Sequence, residues 1–156
     1  MSMFPHTITL YNVRSEFDKT TFKDKLVNHI TILRGVLLDA SKAVNVRTSG
    51  LESADAVNLY IPFGVEAIDP AEIDEDEPKH RQYIGPKEYW ALPVEDVENF
   101  WTLQTSESTF FVKGIAVEAE DATRQDIEAK YEDVYSVTKI DMKDFGGLQH
   151  WEIGGN

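Results

Sequence analysis

Cysteine is absent from the 156 residues of the chain. The protein therefore has no disulfide framework, no thiolate metal site and no thiol nucleophile. Basic residues are few, since 15 Lys and Arg stand against 28 Asp and Glu, and the net charge is -13. Nucleic-acid binding is not expected, because contact with phosphates needs a cationic face. A negative wall nevertheless lets DNA pass without binding it.

Long apolar runs are also missing, because no stretch approaches the roughly 20 residues that a membrane helix needs. The N-terminal sequence MSMFPHTITL has no basic region followed by an apolar run, so we expect no secretory signal. The expected compartment is the cytoplasm, or a particle assembled there. With 42% hydrophobic residues the composition is that of a globular protein. We expect one β-rich domain over residues 1–156 that needs no disulfide or metal to fold.

Motifs of catalysis and cofactor binding are missing as well. The chain has no glycine-rich phosphate loop and no GxSxG nucleophile motif. None of the four histidines is spaced as a metal-binding pair; they are His6, His29, His80 and His150. Most carboxylates are expected to be solvated, where nothing raises a pKa for acid catalysis. We therefore expect no enzyme activity, no cofactor and no metal.

Alternation of apolar and polar residues, which predicts strands, is the main pattern present. In His6–Val13 it places Ile8 and Leu10 on the buried face of a half-buried strand. Central glycines, Gly35 and Gly114, indicate bulges or bends in two further strands. The other strands are predicted at Ile30–Leu38, Ala43–Arg47, Ala56–Ile61, Phe110–Val117, Val134–Ile140 and Leu148–Ile153, the last two forming a closing hairpin.

Helix is predicted mainly at Thr123–Tyr131. Thr123 and Asp126 have the spacing of a capping box, and Ile127 shares a face with Tyr131. Asp126 and Lys130 are spaced for an ion pair. A shorter turn is predicted at Val94–Phe100, after Pro93. Many strands and one short helix favour a mainly β fold, a small β-barrel or sandwich with long loops.

An acidic segment, Glu66–Glu77 (EAIDPAEIDEDE), differs from the rest of the chain in composition. It lies in a long loop expected at about 64–80, because a run of like charges repels itself and stays solvated. We predict either a loop that faces a channel or a partner, or a solubilising loop. The candidate residues are Glu66, Asp69, Glu72, Asp74, Glu75, Asp76 and Glu77.

Aromatic residues leave two further alternatives open. His150 and Trp151 form either a tail that docks on a partner or, with Trp151 buried, the last strand of the core. Trp90, Trp101 and Trp151 belong either to a sugar-stacking platform with nearby tyrosines (Tyr60, Tyr83 and Tyr89) or to the core. Burial is favoured in both cases, because each aromatic ring has a large apolar area.

Several segments resemble a family of small proteins encoded in the structural-gene cluster of tailed bacteriophages and prophages. A strand segment ending in YIP follows an SG turn, a VKG strand comes later, and the tail reads HWEIGG. The resemblance covers most of the chain outside Glu66–Arg81. The matching segments are Thr7–Asn12, Val44–Pro62, Tyr83–Leu92, Phe100–Ala116 and Tyr135–Gly155.

The resemblance implies a head-completion protein, one of the adaptor, stopper and tail-terminator proteins that join capsid to tail. It implies a stopper-like ring in the virion neck, with no catalytic residues, between the portal–adaptor and the tail-terminator or tail-tube proteins. Packaged DNA would pass through the ring without specific binding. A tail-terminator or minor tail protein is the alternative within the phage. A soluble acidic inhibitor that mimics DNA, and a carbohydrate-binding β-domain or hydrolase, are alternatives of other classes.

Overall fold

The computed structural model describes residues 3–40 and 57–156, which form a mainly β fold, as the sequence predicts. Within these described ranges, two short α-helices and two 3-10 turns (Pro70–Glu72 and Val94–Asn99) connect the strands. The elements are β1 (His6–Asp18), β2 (Lys23–Asp39), β3 (Val57–Pro62), β4 (Glu66–Ile68), β5 (Gln82–Tyr83), α1 (Pro86–Ala91), β6 (Phe100–Trp101), β7 (Thr109–Lys113), α2 (Arg124–Lys130), β8 (Val134–Lys143) and β9 (His150–Gly155).

Six strands close into a barrel in the order β1-β7-β8-β9-β3-β2, with β2 pairing back to β1. All pairs in the ring are antiparallel. Closure decides between the two predicted architectures in favour of the barrel, because no edge of the ring is left unpaired. The closing hairpin of β8 and β9 is confirmed.

The barrel interior is filled by inward-facing side chains of every strand in the ring. Ile8 and Leu10 of β1 are fully buried there, as predicted, and so are Leu59 and Ile61 of β3. Aromatic side chains complete this core; they are Trp101, Phe111 and Trp151. Gly155 is closely surrounded, because an added Cβ would lie 3.1 Å from Phe111 Cζ and from Val57 Cγ2.

A second apolar cluster lies outside the barrel, over β1 and β7. Tyr11 stacks on Phe110 with ring centroids 4.7 Å apart, and Ile127 of α2 covers them. The expectation of a half-buried β1 is therefore wrong, since Thr9 and Tyr11 are fully buried on the outer face. The cover could not be read from β1, because it comes from residues about 105 positions away.

Residues 114–122 form a strap across the outer face of β1 and β2. The strand predicted at Phe110–Val117 ends at Lys113, because Gly114 turns the chain with a φ of +77°. Ala116 N donates to Thr9 Oγ1, and Tyr11 Oη donates to Ala116 O. Asn28 Nδ2 donates to Ala119 O further along. Side chains of β1 and β2 thus satisfy the backbone of an irregular segment.

Helix α2 has the predicted capping box. Asp126 N donates to Thr123 Oγ1, and Thr123 N donates to Asp126 Oδ2. The predicted Asp126–Lys130 ion pair is wrong, because the cap already uses the aspartate. Lys130 Nζ instead lies 2.9 Å from Glu118 Oε2 on the strap.

Gly35 is a bulge, as predicted. The register of β1 on β2 shifts from His6↔Val36 to Thr7↔Arg34, and Gly35, left unpaired, has a φ of +89°. β2 begins seven residues before the predicted Ile30. The predicted strand at Ala43–Arg47 and the first residue of the one at Ala56–Ile61 lie outside the described residues.

Candidate interaction surfaces

The acidic segment is partly ordered by the carboxylates that the sequence singles out. Glu66–Ile68 forms β4 on β2, which corrects the expectation of a continuous loop. Glu66 Oε2 lies 2.9 Å from Arg34 Nη2. Asp69 caps the following 3-10 turn by accepting from Ala71 N, and Glu72 Oε1 accepts from Lys79 N. These three carboxylates therefore serve the fold.

A buried arginine holds the acidic segment against the barrel. Arg81 Nη2 lies 2.9 Å from Asp69 Oδ2, and Arg81 Nη1 donates to Ile30 O and Thr31 Oγ1 of β2. The Arg81 side chain is 8% exposed. Its planar guanidinium, with five N–H donors in a fixed arrangement, bonds two elements at once.

The remaining four carboxylates of the acidic segment face solvent. Asp74, Glu75, Asp76 and Glu77 are all exposed. Within residues 3–40 and 57–156 none of them has an ion pair or a side-chain hydrogen bond. They follow Ile73, whose carbonyl accepts from Arg34 Nη1 at 3.3 Å, so the charges lie beside the middle of β2. These four carboxylates are therefore accessible to a partner.

The two tail residues, His150 and Trp151, lie on opposite faces of the last strand, β9. Trp151 is 4% exposed and packs against Phe63, Tyr83 and Trp101. The prediction that Trp151 is buried in the last strand is therefore confirmed. The alternative, in which this side chain docks on a partner, is wrong. His150 points the other way along β9, with its Nε2 3.2 Å from Glu152 Oε1.

The alternative of a sugar-stacking platform is wrong for the same reason. Trp101 and Tyr89 are buried to 2% and 0% exposure, so neither ring is open to a sugar. Trp90 donates from Nε1 to Gln104 Oε1 and stands edge-on to Tyr89. These aromatic side chains belong to the core and to its cover.

A projecting hairpin is the surface that the sequence analysis missed. Beyond Val13 and Asn28, β1 and β2 pair with each other alone and run out to a turn at residues 19–22. We call residues 17–26 the arm. Phe17, Phe22 and Leu26 are 57%, 78% and 67% exposed there. Exposed large apolar groups close together mark a protein-interaction site.

Local polar contacts shape the turn of the arm. Asp18 Oδ1 accepts from Thr20 N, and Phe22 N donates to Asp18 O with Phe22 at a φ of 58°. The bond from Thr20 N holds the pKa of Asp18 below its usual value. The signal that could have predicted the arm was therefore the Asp-Lys-Thr turn, which lies between two runs of alternating apolar and polar residues.

The base of the arm is fixed by buried charge. Glu16 Oε2 lies 2.7 Å from His29 Nε2 and 3.5 Å from Arg14 Nε. Arg14 Nη2 donates to Leu92 O just after α1, and its guanidinium lies 5.8 Å from the Tyr89 ring. The arm therefore leaves the barrel in a fixed direction.

Apolar side chains are also exposed elsewhere. Met142 near the end of β8, with Phe145 and Leu148 of the following turn, forms one such place, and Ile115 and Val117 of the strap form another. Met3 and Val94 are exposed as well. Among the described residues, no three His, Asp or Glu side chains are grouped as metal ligands. No helix in residues 3–40 and 57–156 is long and apolar enough to cross a membrane.

A family model matches residues 3–156. The chain belongs to the DUF6751 family. This is a family of unknown function, and its model spans the barrel, the arm and the acidic segment together. Neither the curated proteins nor the solved structures include a match to the chain.

Proposed function

We propose that this member of the DUF6751 family is a non-enzymatic virion protein of a tailed phage, a stopper-like ring component at the head–tail interface. The observation that carries the proposal is a closed barrel bearing a projecting arm with an exposed apolar tip. A ring needs two different surfaces on each copy, because its contacts are heterologous. The arm and the acidic segment supply two such surfaces. The segments that resemble phage structural-cluster proteins support the same proposal.

The charge of the chain suits a channel for DNA. Each copy carries a net charge of -13, which a ring multiplies around its lumen. A negative wall repels phosphates, so packaged DNA passes without specific binding. The partners in this proposal are the portal–adaptor on the head side and the tail-terminator or tail-tube proteins on the other. Assembly takes place in the bacterial cytoplasm, and the finished protein lies in the virion neck.

Cryo-electron microscopy of the phage particles tests the proposal. We expect a ring of small barrels between the portal and the tail, into which this sequence can be traced. Particles that lack the chain altogether would overturn the proposal, and a nuclease or restriction-inhibition assay would then test the DNA-mimic alternative.

Deletion of the gene separates the two phage functions. Loss of a stopper is expected to leave filled heads that leak DNA and carry no tail. Tails of uncontrolled length would instead assign the chain to tail termination and would contradict the stopper proposal. A plasmid copy of the unaltered gene, which should restore infectious particles, is the control.

A further inference from the structure

The arm has no hydrogen bond or ion pair with any described element outside β1, β2 and their turn, and Phe17 and Lys25 border a cavity with Val94 and Glu120. Its three large apolar side chains are more than half exposed, on a ribbon of only two strands. A two-stranded ribbon is only marginally stable by itself in water. The exposed tip is thus an interaction surface without its occupant.

The charge of the arm is opposite to that of the molecule. Residues 17–26 carry three lysines against two aspartates, whereas the whole chain has a net charge of -13. Lys19 and Lys23 have no ion pair with any described residue, and Lys25 lies 3.9 Å from Asp18. An occupant of the arm should therefore present carboxylates beside apolar groups.

The acidic segment has that composition. Four exposed carboxylates at Asp74–Glu77 have no ion pair among the described residues. The half-buried side chains of Pro70, Ile73 and Pro78 flank them. The strap also exposes apolar and acidic side chains, but it has fewer free carboxylates, because Glu118 already accepts from Tyr131 Oη and pairs with Lys130, which leaves Glu120 and Asp121.

The arm cannot reach the acidic segment of its own copy. Ile73 bonds to Arg34 of β2, whereas the tip of the arm at Phe22 lies 12 residues away along the same paired strand. At about 3.3 Å per residue this separation is roughly 40 Å. The complementary surfaces therefore meet between copies.

We propose that the arm of one copy docks on the acidic segment of a second copy, so that copies join head to tail. The inference rests on the proposed ring, and it names the two surfaces that form the ring contact. A head-to-tail contact of this kind closes into a ring when its rotation permits. Because the paired charges are exposed, the contact weakens as salt is added.

Site-specific disulfide formation tests the contact, and the chain without cysteine is a clean background for it. A variant with Thr21→Cys and Glu75→Cys should give a ladder of cross-linked oligomers under mild oxidation. The matched control, Thr21→Cys with Glu132→Cys, also pairs the arm with an exposed glutamate. A ladder no stronger than that of this control would overturn the proposal.

Charge reversal supplies an independent test. Lys19→Glu with Lys23→Glu, and separately the replacement of Asp74, Glu75, Asp76 and Glu77 by lysine, should each reduce assembly at least tenfold in sedimentation experiments. An equimolar mixture of the two variants should assemble again, because each junction then joins opposite charges. The control Lys87→Glu with Lys113→Glu changes the charge by the same amount as the arm variant, on exposed lysines elsewhere. No recovery in the mixture, or an equal loss in the control, would contradict the contact.

The two proposals fail in different ways. One outcome is that microscopy finds the chain in the neck while the cysteine pair does not cross-link in the same particles. That result would remove the arm contact and keep the ring function. Cross-linking of the pure protein, with no trace of the chain in particles, would keep the contact and remove the virion function.

Discussion

Gly155 shows how closely the barrel interior is packed. Its amide lies between β3 and β8, and an added Cβ would lie 3.1 Å from Phe111 Cζ, Ser136 O and Val57 Cγ2. We expect Gly155→Ala to lower the free energy of unfolding by about 1–3 kcal/mol, because overpacking strains a closed ring of strands. Urea unfolding measures the change.

Gly147→Ala is the matched control for this substitution. Gly147 has no heavy atom within 4 Å of an added Cβ and no positive φ. Its free energy of unfolding should stay within about 0.5 kcal/mol of the parent. Equal losses in both variants would contradict the packing argument.

Tyr11 links the second cluster to the strap through a single hydroxyl. Burial raises the pKa of Tyr11 from 10.0 to about 12, although the bond from Glu118 N acts in the opposite direction. The folded pKa is above the unfolded one, so the protonated form stabilises the fold. That stability is complete below about pH 10 and is lost as the pH rises towards 12.

Tyr11→Phe should therefore destabilise the protein more at neutral pH than at alkaline pH. Near neutrality we expect a loss of about 1–2 kcal/mol, because Ala116 O and Glu118 N lose their partner. At alkaline pH the deficit relative to the parent should shrink, since the ionisation of Tyr11 is gone. Chemical denaturation along a pH series checks this; a deficit that is constant up to pH 12 would be inconsistent with it.

At the scale of the elements, helix α2 depends on its N-terminal cap. Seven residues make a helix too short to be stable alone, so its first turn and its packing decide whether it forms. Thr123→Ala should cost about 1 kcal/mol of unfolding free energy, because the N–H of Asp126 loses its acceptor. Thr123→Ser should recover most of this loss. Amide hydrogen exchange in α2 measures both, and equal protection in the alanine variant and the parent would oppose the prediction.

The base of the arm depends on a buried carboxylate. Glu16→Ala should cost about 3 kcal/mol, because Arg14 and His29 would be left buried without their partner. The control is Glu128→Ala, in which a half-exposed carboxylate that pairs with Arg124 should cost less than about 1 kcal/mol. Thermal unfolding compares the two, and similar losses would mean that burial at the arm base is unimportant.

The elements show where sequence patterns were sufficient. The capping box at Thr123, the bulge at Gly35 and the hairpin of β8 and β9 depend on neighbouring residues or on local backbone conformation, and each was predicted. The arm was missed because its alternation is inverted. Arg14 and Glu16 are the buried residues, whereas Phe17 is exposed.

At the scale of the whole molecule, the barrel determines where the arm and the acidic segment lie. The ring of strands leaves β1 and β2 to extend past their neighbours, which produces the arm. The acidic segment is fixed beside the middle of β2 through Arg81 and Arg34. An arm and a charged segment at different places on one rigid body are what a head-to-tail assembly requires.

By itself the sequence determined the mainly β class, the burial of Trp101 and Trp151, and the acidic character of residues 66–77. Composition and short-range periodicity carry this information, because side chains of a strand alternate between faces whatever lies beyond them. Only the tertiary structure decided that the sheet closes, that Tyr11 is covered on its outer face and that Glu66, Asp69 and Glu72 serve the fold. These features depend on contacts between residues far apart in the chain, and such contacts leave no periodic trace in the sequence of either partner.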